Sequence, residues 1–392
     1  MTRDLRRIGI ALLCWGMGEG LFVYLLPLYL EQLGADSVQI GLILGIAAFS
    51  LTITHIPAGA LSDRIGRKRV MIAGWISGSL SVMVMFLAPN LPLFVIGVVM
   101  YHLTAFVISP LNSYITAAQG NWTVARAITT TSAMFNTGTI IGAFLGGTIG
   151  EFLGLRNVFG LAIIPIFVST MIAFRFQRQP IEIPKKDGRY QAVLSNVALG
   201  RFLGLASIVL FGMYLSWPLT PNYLQNVRHV TVREIGTLGS INALGLVLLN
   251  LSIGRLVAPR GYVIAQFVVG ASTLLLWLGT GIPFFALGYF LAGGFRLARS
   301  LTVAQAEGLV SRSNIGLVYG ITETVMGLVA ISGPPVAGLL YRVSPALPYP
   351  VSLGIIGGSL FLTTRFLPRL RPSAPPVEDP SDLQHENEEG IS

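Results

Sequence analysis

Charge is what this sequence has little of: 11% of its 392 residues are Asp, Glu, Lys or Arg, against 53% hydrophobic. Soluble domains carry about 25% charged residues. A chain this poor in charge cannot cover a water-exposed surface of its size, which excludes the two or three soluble domains its length alone would suggest. Cysteine is almost missing as well. Cys14, the one cysteine, lies in an apolar run and has no partner for an intramolecular disulfide. It reads as a small residue facing lipid or a neighbouring helix. Four histidines without His/Glu ligand spacing, and no cysteine cluster, give no metal site. No G-x-x-x-x-G-K-[ST] segment is present to cradle ATP phosphates. No cofactor is expected.

What the chain does have is long apolar runs. A membrane-spanning helix needs roughly 20 mostly apolar residues, since the hydrocarbon core is about 30 Å thick and each residue rises about 1.5 Å. Spans are predicted near 8–31, 38–61, 70–88, 93–117, 127–150 and 157–175, then near 202–226, 235–258, 262–280, 283–306, 315–341 and 347–367. The first run is longer than the core of a signal peptide and lacks a clear cleavage site, so it reads as a retained helix. The net charge is +9, from 26 Lys plus Arg against 17 Asp plus Glu. A basic balance can signal a nucleic-acid partner, but here the basic residues sit in short loops between apolar runs. Nineteen fall on the side holding the N-terminus; four, Arg156, Arg228, Arg233 and Arg342, fall opposite. Both termini are therefore assigned to the cytoplasm, in a multi-pass protein of the inner membrane. The lipid bilayer is the expected surrounding, and nucleic acid is not an expected partner.

The sequence also repeats. Pro27, Tyr29 and Leu30 recur as Pro221, Tyr223 and Leu224, a shift of 194. Ile40, Gly41, Gly59, Leu61 and Gly66 recur as Ile235, Gly236, Gly254, Leu256 and Gly261, a shift of 195. Gly142 and Gly147 recur as Gly333 and Gly338, a shift of 191. A nearly constant shift across matching spans implies two related six-helix bundles about an axis along the membrane normal. The expected architecture is an all-α membrane protein of twelve transmembrane helices: a bundle over 1–175, a charged cytoplasmic linker over 176–201, a second bundle over 202–367, and a disordered acidic tail over 368–392.

The most specific motif is Gly59-Ala-Leu-Ser-Asp63-Arg64-Ile-Gly66-Arg67-Lys68-Arg69, at the turn from the second span to the third. It resembles the signature loop G-x-L-a-D-r-x-G-r-k of the major facilitator superfamily. The resemblance implies two rocking six-helix bundles and a secondary transporter rather than an enzyme. It also implies a small-molecule substrate, protons as a candidate coupling ion, and a monomer. Physically, the glycines allow close helix approach and a tight turn. Asp63 can face the positive end of a helix, which the resemblance identifies as the eleventh, latching the halves on the cytoplasmic side. The second copy has Ala258 where the first has Asp63, so the latch is expected on one side only. In the fifth span, Gly138, Gly142, Gly146 and Gly147 resemble g-x-x-x-G-P-x-x-G-G, a pattern of drug–proton antiporters, with Ala143 in place of its proline. A small-residue packing face is the preferred reading. Gly333-Pro334 carries a proline in the eleventh span instead, where a bend is expected. The fourth span offers Tyr101 and His102 where such antiporters often have arginine, which weakens the drug-antiporter reading and leaves the direction of transport open.

The same resemblance places the first, fourth, seventh and tenth helices around a central cavity. Each carries a polar or aromatic group about 14–20 Å into its span: Glu19, His102, Tyr214 with Trp217, and Arg296. Charges at that depth need a partner or water. Glu19 suits a cation or a coupled proton, whereas Arg296 suits an anion, and the sequence does not reconcile them. His102, Tyr214 and Trp217 serve equally as packing groups. Glu323 in the eleventh span matches Arg299 in depth, and Arg299–Glu323 or Arg296–Glu323 forms a structural pair in one reading. Two other functions remain open: a transport-inactive sensor on the same fold, and a polytopic lipid-modifying enzyme, for which no convergent nucleophile or acidic cluster is visible.

Overall fold

The computed structural model describes residues 2–177, 179, 196–253, 258–310 and 315–366, without the side chains of 55–61, 63, 258, 259, 315, 316 and 366. Most of the expected linker, residues 254–257 of the second-half motif and the acidic tail lie outside the described residues, as do the surroundings of Gly59 and the side chain of Asp63.

The described residues are helical, with no strand among them. The first half holds α1 (Arg3–Val23), α2 (Leu26–Gln32), α3 (Ser37–Ile65), α4 (Arg67–Leu87), α5 (Leu91–Leu103), α6 (Ile108–Ala117), α7 (Val124–Leu153) and α8 (Leu155–Ala173). The second holds α9 (Val197–Leu215), α10 (Thr220–Asn226), α11 (Val232–Ile253), α12 (Ala258–Leu278), α13 (Ile282–Ala292), α14 (Gly294–Glu307), α15 (Ile315–Val343) and α16 (Pro348–Phe366). The series is the same twice, breaks included. Pro27 and Pro221 stand in the first turns of α2 and α10, where a missing N–H costs no helical bond. α1 and α2 meet at 42°. A 3₁₀ turn over Thr104–Val107 separates α5 from α6, and Gly293 separates α13 from α14. Among the described residues, eight helical stretches are long and apolar enough to cross a membrane, or nine with the bent α1–α2 pair.

Capping sets several boundaries. The Thr2 hydroxyl accepts from the Leu5 amide at 3.1 Å, so the first helix begins at Arg3 and not near residue 8. Asn196 accepts from the Leu199 amide at 3.0 Å, so α9 begins before Arg201, which the linker was expected to contain. Asp36 and Gln39 close a reciprocal capping box at the start of α3. The signature motif is almost all helix: only Gly66, at φ +94°, lies between α3 and α4, and that left-handed backbone is open to glycine at no steric cost.

The two halves meet at the end remote from the chain termini. There α3 packs on α15: the Ser37 hydroxyl donates to the Gly338 carbonyl at 3.2 Å, and a Cβ on Gly41 would strike the Pro334 carbonyl. α7 packs on α11, with a Cβ on Gly147 only 2.7 Å from the Gly236 Cα and the Ser240 hydroxyl donating to the Ile140 carbonyl at 2.8 Å. α2 and α10 are clasped by Glu31, which accepts from Asn226 at 2.8 Å and also from Asn222. One buried apolar core runs through both halves at this end, joining Leu21, Phe22 and Leu26 to Leu215, Ile235 and Ala337. Toward the termini the core divides, with Leu5, Met71 and Tyr114 in the first half and Phe202, Tyr262 and Leu301 in the second. The contact faces also lose their partners there. Gly327 of α15 meets Thr52, but Gly320, two turns away, has nothing within 4 Å of a built Cβ. On α7, Ser132 and Ala133 are exposed. Among the described residues, the halves touch at the remote end and part toward the terminal end.

Candidate functional site

Between the halves, beneath that closure, lies a cavity of about 290 Å³. Its wall comes from α1, α7, α9, α11, α12, α13 and α14, and so from both halves. Four of the six residues singled out for this role line it: Glu19, Tyr214, Trp217 and Arg296.

Glu19 stands on a helix held unusually close to its neighbour. A Cβ on Gly16 or Gly20 of α1 would run into the carbonyls of Phe135 and Thr139 on α7. In return, Gly138, Gly142 and Gly146 of α7 lie on the backbone of α1 at Leu13, Met17 and Leu21. The two helices touch backbone to backbone, a contact only small residues permit. That packing fixes the turn carrying Glu19. The Tyr101 hydroxyl donates to its carboxylate at 2.8 Å, and the Tyr101 ring is in turn stacked on Trp15.

Arg296 owes its place to the break at Gly293. A Cβ on Gly293 would lie 2.6 Å from the backbone of Gly245, so α13 and α14 press hard on α11 at this point. Just beyond the break, Phe295 stacks on Tyr214 at 5.2 Å between ring centroids, and Arg296 enters the cavity. Arg296 is accessible because it stands in this hollow. Glu19 and Arg296 attract one another across the space, but no ion pair within 4.0 Å joins them. Tyr24 closes the top: its hydroxyl donates to the Asn242 side chain at 3.1 Å, across the boundary between halves.

The other two candidates lie elsewhere. His102 does not line the cavity; its Nδ1 is 2.9 Å from the Val98 carbonyl of its own helix. Glu323 pairs with Arg299 at 3.1 Å, both side chains being largely exposed, and not with Arg296. Of the motif residues, Arg67 lies 3.4 Å from the Gln179 side chain as a hydrogen-bond donor, and Arg64 is exposed. Gly333 lies on the Tyr214 ring, while α15 continues as a single helix through Pro334. The fifth-span residues Phe135, Asn136 and Thr139 line the cavity although only the glycines of that span had drawn attention. Their spacing of three and four residues on one helix face was the available signal. Among the described residues no group of three His, Cys, Asp or Glu side chains could hold a metal ion.

A second hollow, of about 270 Å³, lies outside the Glu31 clasp and is lined by Asp36, Asn222, Tyr341 and Arg342. It lies at the closed end, away from the convergent groups of the central cavity.

The chain shares this fold with solved transporters. A mutant form of the nucleoside transporter NupG superposes with a TM-score of 0.82 at 13% identity, covering 93% of this chain and 99% of the other. The human organic anion transporter MFSD10 superposes with a TM-score of 0.64 at 20% identity, covering 92% and 99%. By sequence, an uncharacterised MFS-type transporter of Methanocaldococcus jannaschii is 24% identical over 336 residues, covering 78% of this chain and 86% of the relative. Multidrug resistance protein 2 of Bacillus subtilis is 23% identical over 352 residues, covering 85% and 87%. The family model described as Major Facilitator Superfamily matches residues 8–204 and again 202–387, nearly the whole chain in two successive pieces. With the doubled helix series, the inter-bundle cavity and this match in hand, the chain belongs to the major facilitator superfamily and is a multi-pass membrane transporter.

Proposed function

We propose that this protein is a secondary active transporter that carries a small organic molecule across the inner membrane by alternating access, with protons as the coupling ion. The bundles 1–175 and 202–367 move against one another, and the pairs α1–α2, α5–α6, α9–α10 and α13–α14 each form one broken span, giving twelve. Both termini are cytoplasmic, so the present conformation is open to the cytoplasm. One observation carries the reading: a cavity between the halves, closed over at one end, into which each half puts a charged group that no ion pair takes up, Glu19 from the first and Arg296 from the second. Glu19 is the candidate proton carrier, because a carboxylate at that depth changes its charge at a cost that closing of the cavity can alter. Arg296, Tyr214 and Trp217 are candidate substrate contacts, and Asp63, Gly59, Gly66, Arg64 and Arg67 form the cytoplasmic latch. One chain completes the cavity, so a monomer suffices. The name of the Bacillus subtilis relative fits an amphiphilic organic substrate, as do the aromatic walls.

The test needs no substrate. In a Cys14→Ser background, Asn136→Cys places a thiol in the cavity wall. Alternating access requires that it react with an impermeant reagent from either side of reconstituted vesicles. A short bis-thiol bridge between Glu31→Cys and Asn226→Cys should restrict it to the cytoplasmic side. Reaction from one side only in the absence of the bridge overturns the reading, as does outer-side reaction that the bridge leaves unchanged.

A further inference from the structure

The sequence left two hints in conflict, a carboxylate for cations and a guanidinium for anions. The cavity removes the conflict, because both groups face one space. We propose that the cavity selects zwitterions: molecules carrying an ammonium group and a carboxylate on an aromatic or otherwise apolar body. The inference rests on the reading that this cavity is the substrate site.

Four observations support it. First, Glu19 and Arg296 are not spent on one another; no ion pair joins them. Second, among the described residues no other acidic side chain is committed to Arg296. The nearby carboxylate of Glu323 is held by Arg299 at 3.1 Å, so the neighbouring cation is the neutralised one. Among the described residues, Arg296 is the cavity-lining cation without a hydrogen-bonded or ion-paired side-chain partner. Third, Glu19 has room for a further donor. The Tyr101 hydroxyl donates to it at 2.8 Å, and a carboxylate offers about four lone-pair sites. Fourth, the wall between the two charges is aromatic, with Tyr24, Phe135, Trp217 and the stacked Tyr214–Phe295 pair.

Charge arithmetic then decides the ligand class. A cation entering this space neutralises Glu19 but faces Arg296. An anion has the mirror problem. Once the halves close around it, each leaves one charge uncompensated away from bulk water, which is costly. A zwitterion satisfies both and leaves neither stranded, so rejection of singly charged analogues is built into the site. The guanidinium fork suits a planar carboxylate. The two charges also sit on opposite halves, so a bridging ligand binds better when the halves approach. That differential affinity is what a substrate needs to shift a two-state equilibrium.

The experiment uses purified full-length protein and two matched probe series. One is phenylalanine, phenylalanine amide and N-acetylphenylalanine; the other is glycylphenylalanine with its amide and N-acetyl forms. Within each series only one charge is removed at a time, and the two series differ in charge separation. Affinity is read by equilibrium dialysis and thermal stabilisation. In at least one series the zwitterion should bind ten-fold or more tightly than either singly charged analogue. In Glu19→Gln its advantage over the N-acetyl anion should vanish, and in Arg296→Gln its advantage over the amide cation should vanish. Glu19→Asp and Arg296→Lys, which keep the charges, should retain most of the preference and serve as folding controls. Equal or tighter binding of a singly charged probe overturns the proposal, as does no binding in either series. Two-sided labelling of Asn136→Cys in the same preparation would leave alternating access standing in that case, so the two failures are distinguishable.

Discussion

Arg299 holds Glu323 at 3.1 Å, and Arg296, one turn earlier on the same helix, holds no carboxylate at all. The two arginines are three residues apart and both are candidate partners of Glu323, yet only Arg299, the one matched to it in depth, takes it up. Both line the cavity, but Arg299 reaches across to Glu323 on α15, while Arg296 has no carboxylate partner. The pair is largely exposed, so its Coulomb energy is screened. A double-mutant cycle on Arg299→Ala and Glu323→Ala should give a coupling of about 0.2–1 kcal/mol in reversible unfolding. Arg296→Ala with Glu323→Ala should give additive changes. Strong coupling between 296 and 323 would mean that the charge pairing of the cavity has been misassigned.

What the sequence could and could not reveal follows from helix geometry. The apolar runs located the helices, because a bilayer demands length and apolarity whatever the neighbours do. The repeat pointed to two related bundles but not to their broken helices, although Pro27 and Pro221, which recur, stand in the first turns of α2 and α10. Which way a residue points was not legible. Adjacent residues on a helix diverge by about 100°, so Tyr101 reaches Glu19 while His102 bonds its own backbone. Depth alone could not choose between them. α7 has two working faces: Gly138, Gly142 and Gly146 meet α1, while Phe135, Asn136 and Thr139 line the cavity. Reading it only for its glycines concealed the second.

Those glycines should separate stability from conformational balance. Gly142 is packed on the backbone of Met17 and Leu21 within the first half, where neither side can yield. Gly142→Ala gains about 0.5–1 kcal/mol of helix propensity but overpacks by roughly 1–3 kcal/mol. The overpacking should win and lower the melting temperature. Gly147 instead faces Gly236 across the halves. Gly147→Ala should leave the first bundle intact and disfavour the closed remote end, raising labelling of Asn136→Cys from the outer side. Equal loss of melting temperature in both variants would show that α7 packing is not divided in this way.

The Glu31 clasp predicts a population shift. Its carboxylate accepts from Asn222 and from Asn226, two donors on the other half. Hydrogen bonds to a charged group are worth about 1.5–3 kcal/mol each. Glu31→Gln keeps the shape but puts an amide N–H₂ opposite one of those donors. Loss of one bond, at about 1.4 kcal/mol per ten-fold, should move the conformational equilibrium ten-fold or more away from the cytoplasm-open state. Spin-label distances across the remote end would measure it. An unchanged distance distribution would assign closure to the glycine contacts alone.

Asn242 is the sharpest test of how the cavity roof is held. It is 5% exposed and makes two bonds with opposite roles. Its Oδ1 accepts from the Tyr24 hydroxyl of the first half at 3.1 Å, and its Nδ2 donates to the Tyr289 carbonyl of its own half at 2.8 Å. Tyr24→Phe removes only the first bond and its donor, leaving an acceptor that can turn to cavity water. The expected cost is about 0.5–1.5 kcal/mol. Asn242→Ala leaves the Tyr24 hydroxyl to cavity water, strands the Tyr289 carbonyl and opens space in the roof. A buried polar group left without a partner costs about 1–3 kcal/mol, so Asn242→Ala should be the more destabilising of the two by about 1 kcal/mol or more in reversible unfolding. It should also relax the roof enough to raise outer-side labelling of Asn136→Cys. Tyr24→Phe should raise that labelling too, because the bond it removes is the one that crosses the halves. If Asn242→Ala destabilises while Tyr24→Phe leaves labelling unchanged, Asn242 acts as an internal brace of the second half and the Tyr24 contact does not hold the roof.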